Sequence, residues 1–323
     1  MAKAETFTAV GNREDLTDLL TTVEPEETPM LSGLPKVRAP KATLMEWQMN
    51  GYEEVAFDGV IEGTDQSSFD DKARNRVRDG NRLEELRRPY QVTRRQEKVD
   101  TAGVGSEVAF AKGQSMIELK RDWESLMGSD QEEQVGTGGQ PDLMRAIGKW
   151  IDSGNTNIDS AVRTPASSIG TTSTLTESTF NDVLQSVYEA AGTVQTMRLY
   201  AGSGLQRKIS NFTRAEGTTT PTPFTVNSNQ DAREIVFSVQ FYRGDYANVQ
   251  VISDLFLGRV SGTAYDTQAK NRGYLVTPDL VQSGILEAPQ IFENSDEGGG
   301  QRGFAFMEGT LVCKNPKGLG KFQ

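Results

Sequence analysis

The sequence predicts an α+β protein organised around one long helix, and three observations carry that expectation. Residues 105–128, GSEVAFAKGQSMIELKRDWESLMG, place Met116, Leu119, Trp123 and Leu126 on one helical stripe. Residues 176–212 alternate helix-like and strand-like patterns in a compact α/β passage. Short strand patterns then fill the last third of the chain, at 235–253, 272–279, 283–289 and 303–313.

The elements follow in order. Leu16, Leu19 and Leu20 in REDLTDLL stand at helical spacing. Pro25, Pro29 and Pro35 then interrupt PEETPMLSGLPK, and each biases its predecessor toward extended geometry. This stretch reads as an arm that crosses another surface. LMEWQMNGY (44–52) reads as a strand, with Leu44, Glu46 and Gln48 opposite Met45, Trp47 and Met49. An acidic run ends near Asp71 and a basic run begins at Lys72, which suits a long hairpin with opposed charge faces. A solvated loop with scattered charges reads equally well.

The long helix has Ser106 available as N-cap and Gly128 as terminator, and about 23 residues would span roughly 35 Å. After the glycine-rich VGTGG (135–139), PDLMRAIGKWI (141–151) predicts a second helix with Pro141 in its first turn. Residues 152–177 read as loop. TESTFNDVLQSVYEAAG (176–192) predicts a helix, MRLYAG (197–202) a strand and GLQRKISNF (204–212) a helix. IVFSVQFY, RGDY and ANVQVIS (235–253) predict a hairpin, and NSDEGGGQRG (294–303) an exposed turn.

Composition narrows the chemistry. The chain has 323 residues, no histidine and one cysteine, Cys313. That excludes Ser–His and Cys–His catalysis, an internal disulfide framework and almost every catalytic zinc site. A formal charge of −11 argues against sequence-specific DNA binding, although an acidic wall can enclose DNA without gripping it. No apolar run approaches a membrane span, and MAKAETFTAV lacks a signal-peptide pattern, so a protein of a reducing cytoplasm is expected.

Several motifs invite sharper readings. Gly202-Ser203-Gly204 lies between a strand and a helix, but lacks the spacing of a phosphate loop, and a tight turn explains it. Arg243-Gly244-Asp245 sits where a hairpin must turn. The acidic groups Glu24, Glu26, Glu27, then Glu53, Glu54, then Asp70, Asp71 show no calcium-loop spacing and read as solvated faces. Trp123 belongs to the helix stripe, whereas Trp47 and Trp150 suit either core or subunit contact. No catalytic, cofactor or metal site is expected.

The order of parts resembles one known design. EDLTDLL, PEETPMLSGLPK, LMEWQMNGY and IEGTD are similar to the N-terminal region of tailed-bacteriophage major capsid proteins of the Hong Kong 97-type fold. VDTAGVGSEVAFA with IELKRDWESLM, and FNDVLQSVYEAAG with GLQRKISNF, extend the resemblance over roughly 14–272. The resemblance implies an N-terminal arm (1–45), an extended loop (46–100) and a peripheral domain with a spine helix (101–145). It further implies an axial α/β domain (146–271), tipped near 214–232, and return strands with the C-terminus (272–323).

It also implies a function in geometry: copies joined as hexamers and pentamers in an icosahedral head around double-stranded DNA. The implied partners are itself, portal and decoration or scaffolding proteins, and packaged DNA without sequence-specific contacts; no membrane is involved. The virion is the implied location, after the host cytoplasm. Met30, Leu31, Leu34, Leu44, Met45, Trp47 and Met49 are the expected anchors between subunits, and removing 1–45 is expected to leave a folded subunit that fails to assemble. Two alternatives stand beside this: an encapsulin-like nanocompartment shell, and a carboxylate- and calcium-dependent hydrolase.

Overall fold

The computed structural model describes residues 27–53, 55, 57, 59–69, 71, 76–192, 195–212, 240–257 and 269–323. The helix expected at 13–20, the tip at 214–232 and most of the strand expected from 235 lie outside them.

Eleven strands and six α-helices order the described chain. They run α1 (Pro29–Gly33), β1 (Leu44–Asn50), β2 (Arg76–Arg82), β3 (Glu84–Val92), α2 (Arg94–Lys98), α3 (Glu107–Met127) and α4 (Ile147–Trp150). Then come β4 (Ile169–Gly170), α5 (Glu177–Ala191), β5 (Gln195–Ala201), α6 (Ser203–Asn211), β6 (Phe241–Arg243) and β7 (Ala247–Ser253). β8 (Gly273–Val276), β9 (Val281–Asn294), β10 (Gln301–Cys313) and β11 (Gly320–Phe322) complete the order.

Three sheets result: β1-β2, β3-β10-β9 and β4-β11-β8-β5-β7-β6. The mixture matches the α+β expectation. The last segment, expected as peripheral-domain return strands and the C-terminus, supplies two sheets: β9 and β10 pair with β3, while β8 and β11 join the six-stranded sheet.

That six-stranded sheet is a wall between two cores, because side chains on a strand alternate faces. Met197, Leu199, Ala201 and Leu275 face a core filled by Phe180, Val183, Leu184 and Val187 of α5 and Leu205 and Ile209 of α6. Tyr200, Tyr274 and Val276 face the other, with Leu119, Trp123 and Met127 of α3 and Met307 and Leu311 of β10. Hydrophobic burial on both faces of one sheet ties the two lobes into one packed body.

α3 begins and ends where expected. The Ser106 hydroxyl accepts from Ala109 N, and Gly128 caps the C-terminus. Its buried face is Val108, Ser115, Leu119, Trp123, Glu124 and Met127, with Met116 and Leu126 only half-buried. α3 lies against β3 and β10, and Gly309 permits the approach: a Cβ there would stand 2.9 Å from Gly284 O and 3.2 Å from the Trp123 ring. α5 carries a capping box at Thr176 and Thr179, and Gly192 stops it at φ +76°, which costs glycine little.

The helix expected over 141–151 is reduced to Ile147–Trp150. The amides before it are spent elsewhere: Leu143 N donates to Gln134 O, Met144 N to Glu84 and Arg145 N to Asn81. Tertiary partners took the donors that a helix needs. The strand expected at 283–289 extends to Val281–Asn294, with register irregularities against β10 between Phe306 and Gly309.

Candidate assembly surfaces

β1 and β2 form the base of the predicted hairpin, with Met49 opposite Val77 and Glu46 opposite Gly80. Asn81, fully buried, holds this base in place. Its amide donates to Arg145 O at 2.9 Å and to Leu311 O at 2.8 Å, and its Oδ1 accepts from Arg145 N at 2.7 Å. One side chain thereby joins the hairpin, the 140s segment and β10.

Charge reinforces the joint. Arg145, with a side chain 4% exposed, meets Glu132 at 2.6 Å, Glu133 at 3.5 Å and Asp79 at 3.6 Å, and its guanidinium lies 4.6 Å above the Trp150 ring. Burial pushes the Asp79 and Glu133 carboxyls up, and Arg145 pulls both back. Glu84 accepts from Met144 N and Gln131 Nε2, although burial raises its pKa. Trp47 of β1 rests on Trp150 with ring centroids 5.5 Å apart.

Beyond this joint the hairpin changes character. Tyr52 is 99% exposed, Phe57 95%, Phe69 87%, Val55 82%, Ile61 80% and Val60 75%. These side chains share the stretch with Glu53, Glu62, Asp65 and Asp71. A run of large apolar side chains held in water by a firm base is an unfinished surface. Arg78 pairs with Glu46 on the exposed side of the base, and an open groove of about 1400 Å3 beside it is lined by Tyr52, Arg76, Arg78, Asp159, Lys314 and Lys317 among others.

The seven expected anchors divide. Met30, Leu34 and Met49 are buried in the chain's own core at 0%, 4% and 7% exposure. Leu31 and Trp47 pack half-buried against that core, Leu44 is half-buried, and Met45 Sδ lies near Gly284 of β9. The 27–50 stretch therefore crosses its own subunit: Val37 N donates to Ser283 O, Ser283 N to Pro35 O, and Arg198 to Gly33 O. Removing 1–45 would strip Met30 and Leu34 from the core, so a loss of stability is expected beside the loss of assembly. The exposed apolar residues further out, Tyr52 to Phe69, were not among the anchors; their alternation with acidic residues hid them as loop.

The arm's short helix is also tied by charge. Met30 N and Leu31 N donate to Glu124 Oε1 and Oε2 at 2.5 and 2.7 Å. The N-terminus of α3 uses a carboxylate from outside: Glu97 accepts from Ser106 Oγ at 2.9 Å and Val108 N at 3.0 Å, which lowers its pKa. Arg88 of β3 grips Asp122 of α3 with two nitrogens, one at 2.6 Å. On the far face of the same sheet, Phe292, Phe304 and Phe306 cluster with Arg87 stacked on two of the rings.

Cys313 is buried and its thiol is pushed up by burial, and among the described residues no three metal-ligating side chains cluster. No helix among them is long and apolar enough to cross a membrane.

The same architecture recurs in solved shells. The capsid protein in the asymmetric unit of cyanophage A-1(L) is 13% identical, with a TM-score of 0.62, over 99% of both chains. That of the empty GTA particle is 10% identical, with a TM-score of 0.61, again over 99% of both. That of the mature bacteriophage PhiM1 capsid is 8% identical, with a TM-score of 0.60, over 99% of this chain and 96% of that one. At such identities the likeness establishes the fold alone. No curated protein sequence matches. The model of the SU10 major capsid protein family matches residues 3–323. A family match that spans nearly every residue makes this chain a member of the SU10 major capsid protein family, and so a shell-building protein of the virion.

Proposed function

We propose that copies of this chain close as hexamers and pentamers into an icosahedral phage head, each laying its 51–71 loop across the next copy. The observation that carries the loop's role is the exposure of Tyr52, Phe57 and Phe69 at 99%, 95% and 87% on a hairpin with a locked base. Burying a side chain of this size is worth about 1.5–3 kcal/mol before ordering costs. Repeated around a ring, contacts of that strength are individually reversible and collectively stable. Arg76, Lys314 and Lys317 in the adjacent groove, which also carries Glu53, Asp79 and Asp159, suit an acidic segment arriving from a neighbour. Exposed ion pairs of this kind contribute about 0–1 kcal/mol each, so they set register more than strength.

In this reading α3 with β3, β9 and β10 forms the peripheral part and the six-stranded lobe the axial part. The acidic wall encloses DNA without base-specific contacts, and portal and scaffolding or decoration proteins complete the head after synthesis in the host cytoplasm. A nanocompartment shell would use the same geometry; the family match favours the phage head. The hydrolase reading has no support in the buried carboxylates, since Glu84 and Glu124 spend their oxygens on protein N–H groups.

Electron microscopy of the purified chain tests this. Hollow regular particles are expected from the native sequence. A Tyr52→Ser, Phe57→Ser, Phe69→Ser variant should stay folded, with an unchanged melting temperature, and remain as free subunits. Normal shells from that variant would refute the loop's role.

A further inference from the structure

The chain contains one Asn-Gly pair, Asn50-Gly51, and it stands where the locked hairpin base gives way to the exposed loop. Asn50 is the last residue of β1, and the β1–β2 register ends with Asn50 opposite Arg76, so Gly51 lies past the ladder. Asn50, Gly51 and Tyr52 are all exposed. A Cβ placed on Gly51 would meet nothing within 4 Å, so the backbone there has room to turn.

We infer that Asn50-Gly51 is a self-modification site at which the folded chain reacts with its own backbone and then with water. The Gly51 nitrogen gives its proton to solvent and attacks the Asn50 side-chain carbonyl carbon. The bond from that carbon to the side-chain nitrogen breaks, and ammonia leaves with a proton from solvent. Water then opens the cyclic imide. Opening at the side-chain carbonyl gives aspartate. Opening at the main-chain carbonyl gives isoaspartate, in which the backbone runs through the former side chain. The net change takes up one water and releases one ammonia, with no oxidation or reduction.

The fold separates this asparagine from the others. Asn81 is fully buried, and its amide is spent on Arg145 O and Leu311 O. Asn294 is the closest match: it is exposed, ends β9 and stands opposite Arg302. Its successor is Ser295, whose side chain crowds the nitrogen that has to attack. Only at Asn50 do a strand end, exposure and a following glycine coincide among the described residues.

Both products put a carboxylate opposite Arg76, where paired side chains stand about 5 Å apart. Isoaspartate also adds an atom to the main chain at the point from which the loop departs. The consequence for assembly rests on the loop's proposed role. Arg76 drawn to its own strand is less available to a neighbour's acidic segment, and the loop leaves the base on a new heading. Free subunits therefore lose competence as they age.

Peptide mass analysis of the purified full-length chain, stored at neutral pH and physiological temperature, tests the site without requiring assembly. The peptide containing Asn50 should gain about 1 Da with time and resolve into aspartate and isoaspartate forms. Conversion at Asn50 should exceed that at Asn294 by at least about tenfold, and Gly51→Val should cut it by at least as much. When partly converted stock is set to assemble, converted chains should be enriched at least about twofold in the leftover free subunits over the particles. Conversion no faster than at Asn294, or unchanged by Gly51→Val, would overturn the site. Equal conversion in particles and free subunits would overturn its effect on assembly. A freshly made chain that forms no particles would count against the shell reading instead, while the mass change at Asn50 still decides the site.

Discussion

Arg145 sits at the centre of the hairpin base with three carboxylates around it and a tryptophan ring beneath it. Removing one side of a buried charge cluster strands the other, at a cost of about 3–5 kcal/mol. Arg145→Met should therefore lower the urea midpoint by that much stability, with Glu132, Glu133 and Asp79 left uncompensated; a loss under about 1 kcal/mol would show that the cluster is solvated. Neither this residue nor Glu124 was legible in the sequence. In PDLMRAIGKW an arginine reads as a surface charge, and what surrounds its guanidinium is Asp79, Glu132, Glu133 and the Trp150 ring. Glu124 stands beside Trp123 at the edge of the expected stripe, and only the arm's amides make its burial tolerable.

Elements whose local signals agree with their packing were readable. α3 and α5 have caps, apolar stripes and terminating glycines, and both appear within a residue or two of expectation. The 141–151 helix failed because its donors serve Glu84 and Asn81, a tertiary override that no local pattern announces. The loop is the opposite case: it was seen as extended, but its apolar residues were passed over for those of the arm, which the chain buries in itself. Exposed chain of this kind is open to proteases. Chymotrypsin should cut free subunits first after Tyr52, Phe57 or Phe69 and spare those bonds in assembled shells; first cleavage within the mostly buried strand β10 would contradict the locked base.

At the scale of the whole molecule, the order of arm, loop, spine helix and α/β lobe was legible before any contact was known. The sharing of one sheet by two cores was not, because β8 and β11 come from the end of the chain and take their places between β4 and β5 only in three dimensions. The proposed consequence is a subunit whose described residues pack their own core, with the exposed apolar residues of the 51–71 loop to be covered by a neighbour. Electron cryomicroscopy of assembled shells tests this most directly. The account expects Tyr52, Phe57, Ile61 and Phe69 to be buried against the adjacent copy, with the joint at Asn81 and Arg145 unchanged. Finished shells in which that loop stands free in solvent, or folds back onto its own subunit, would contradict it.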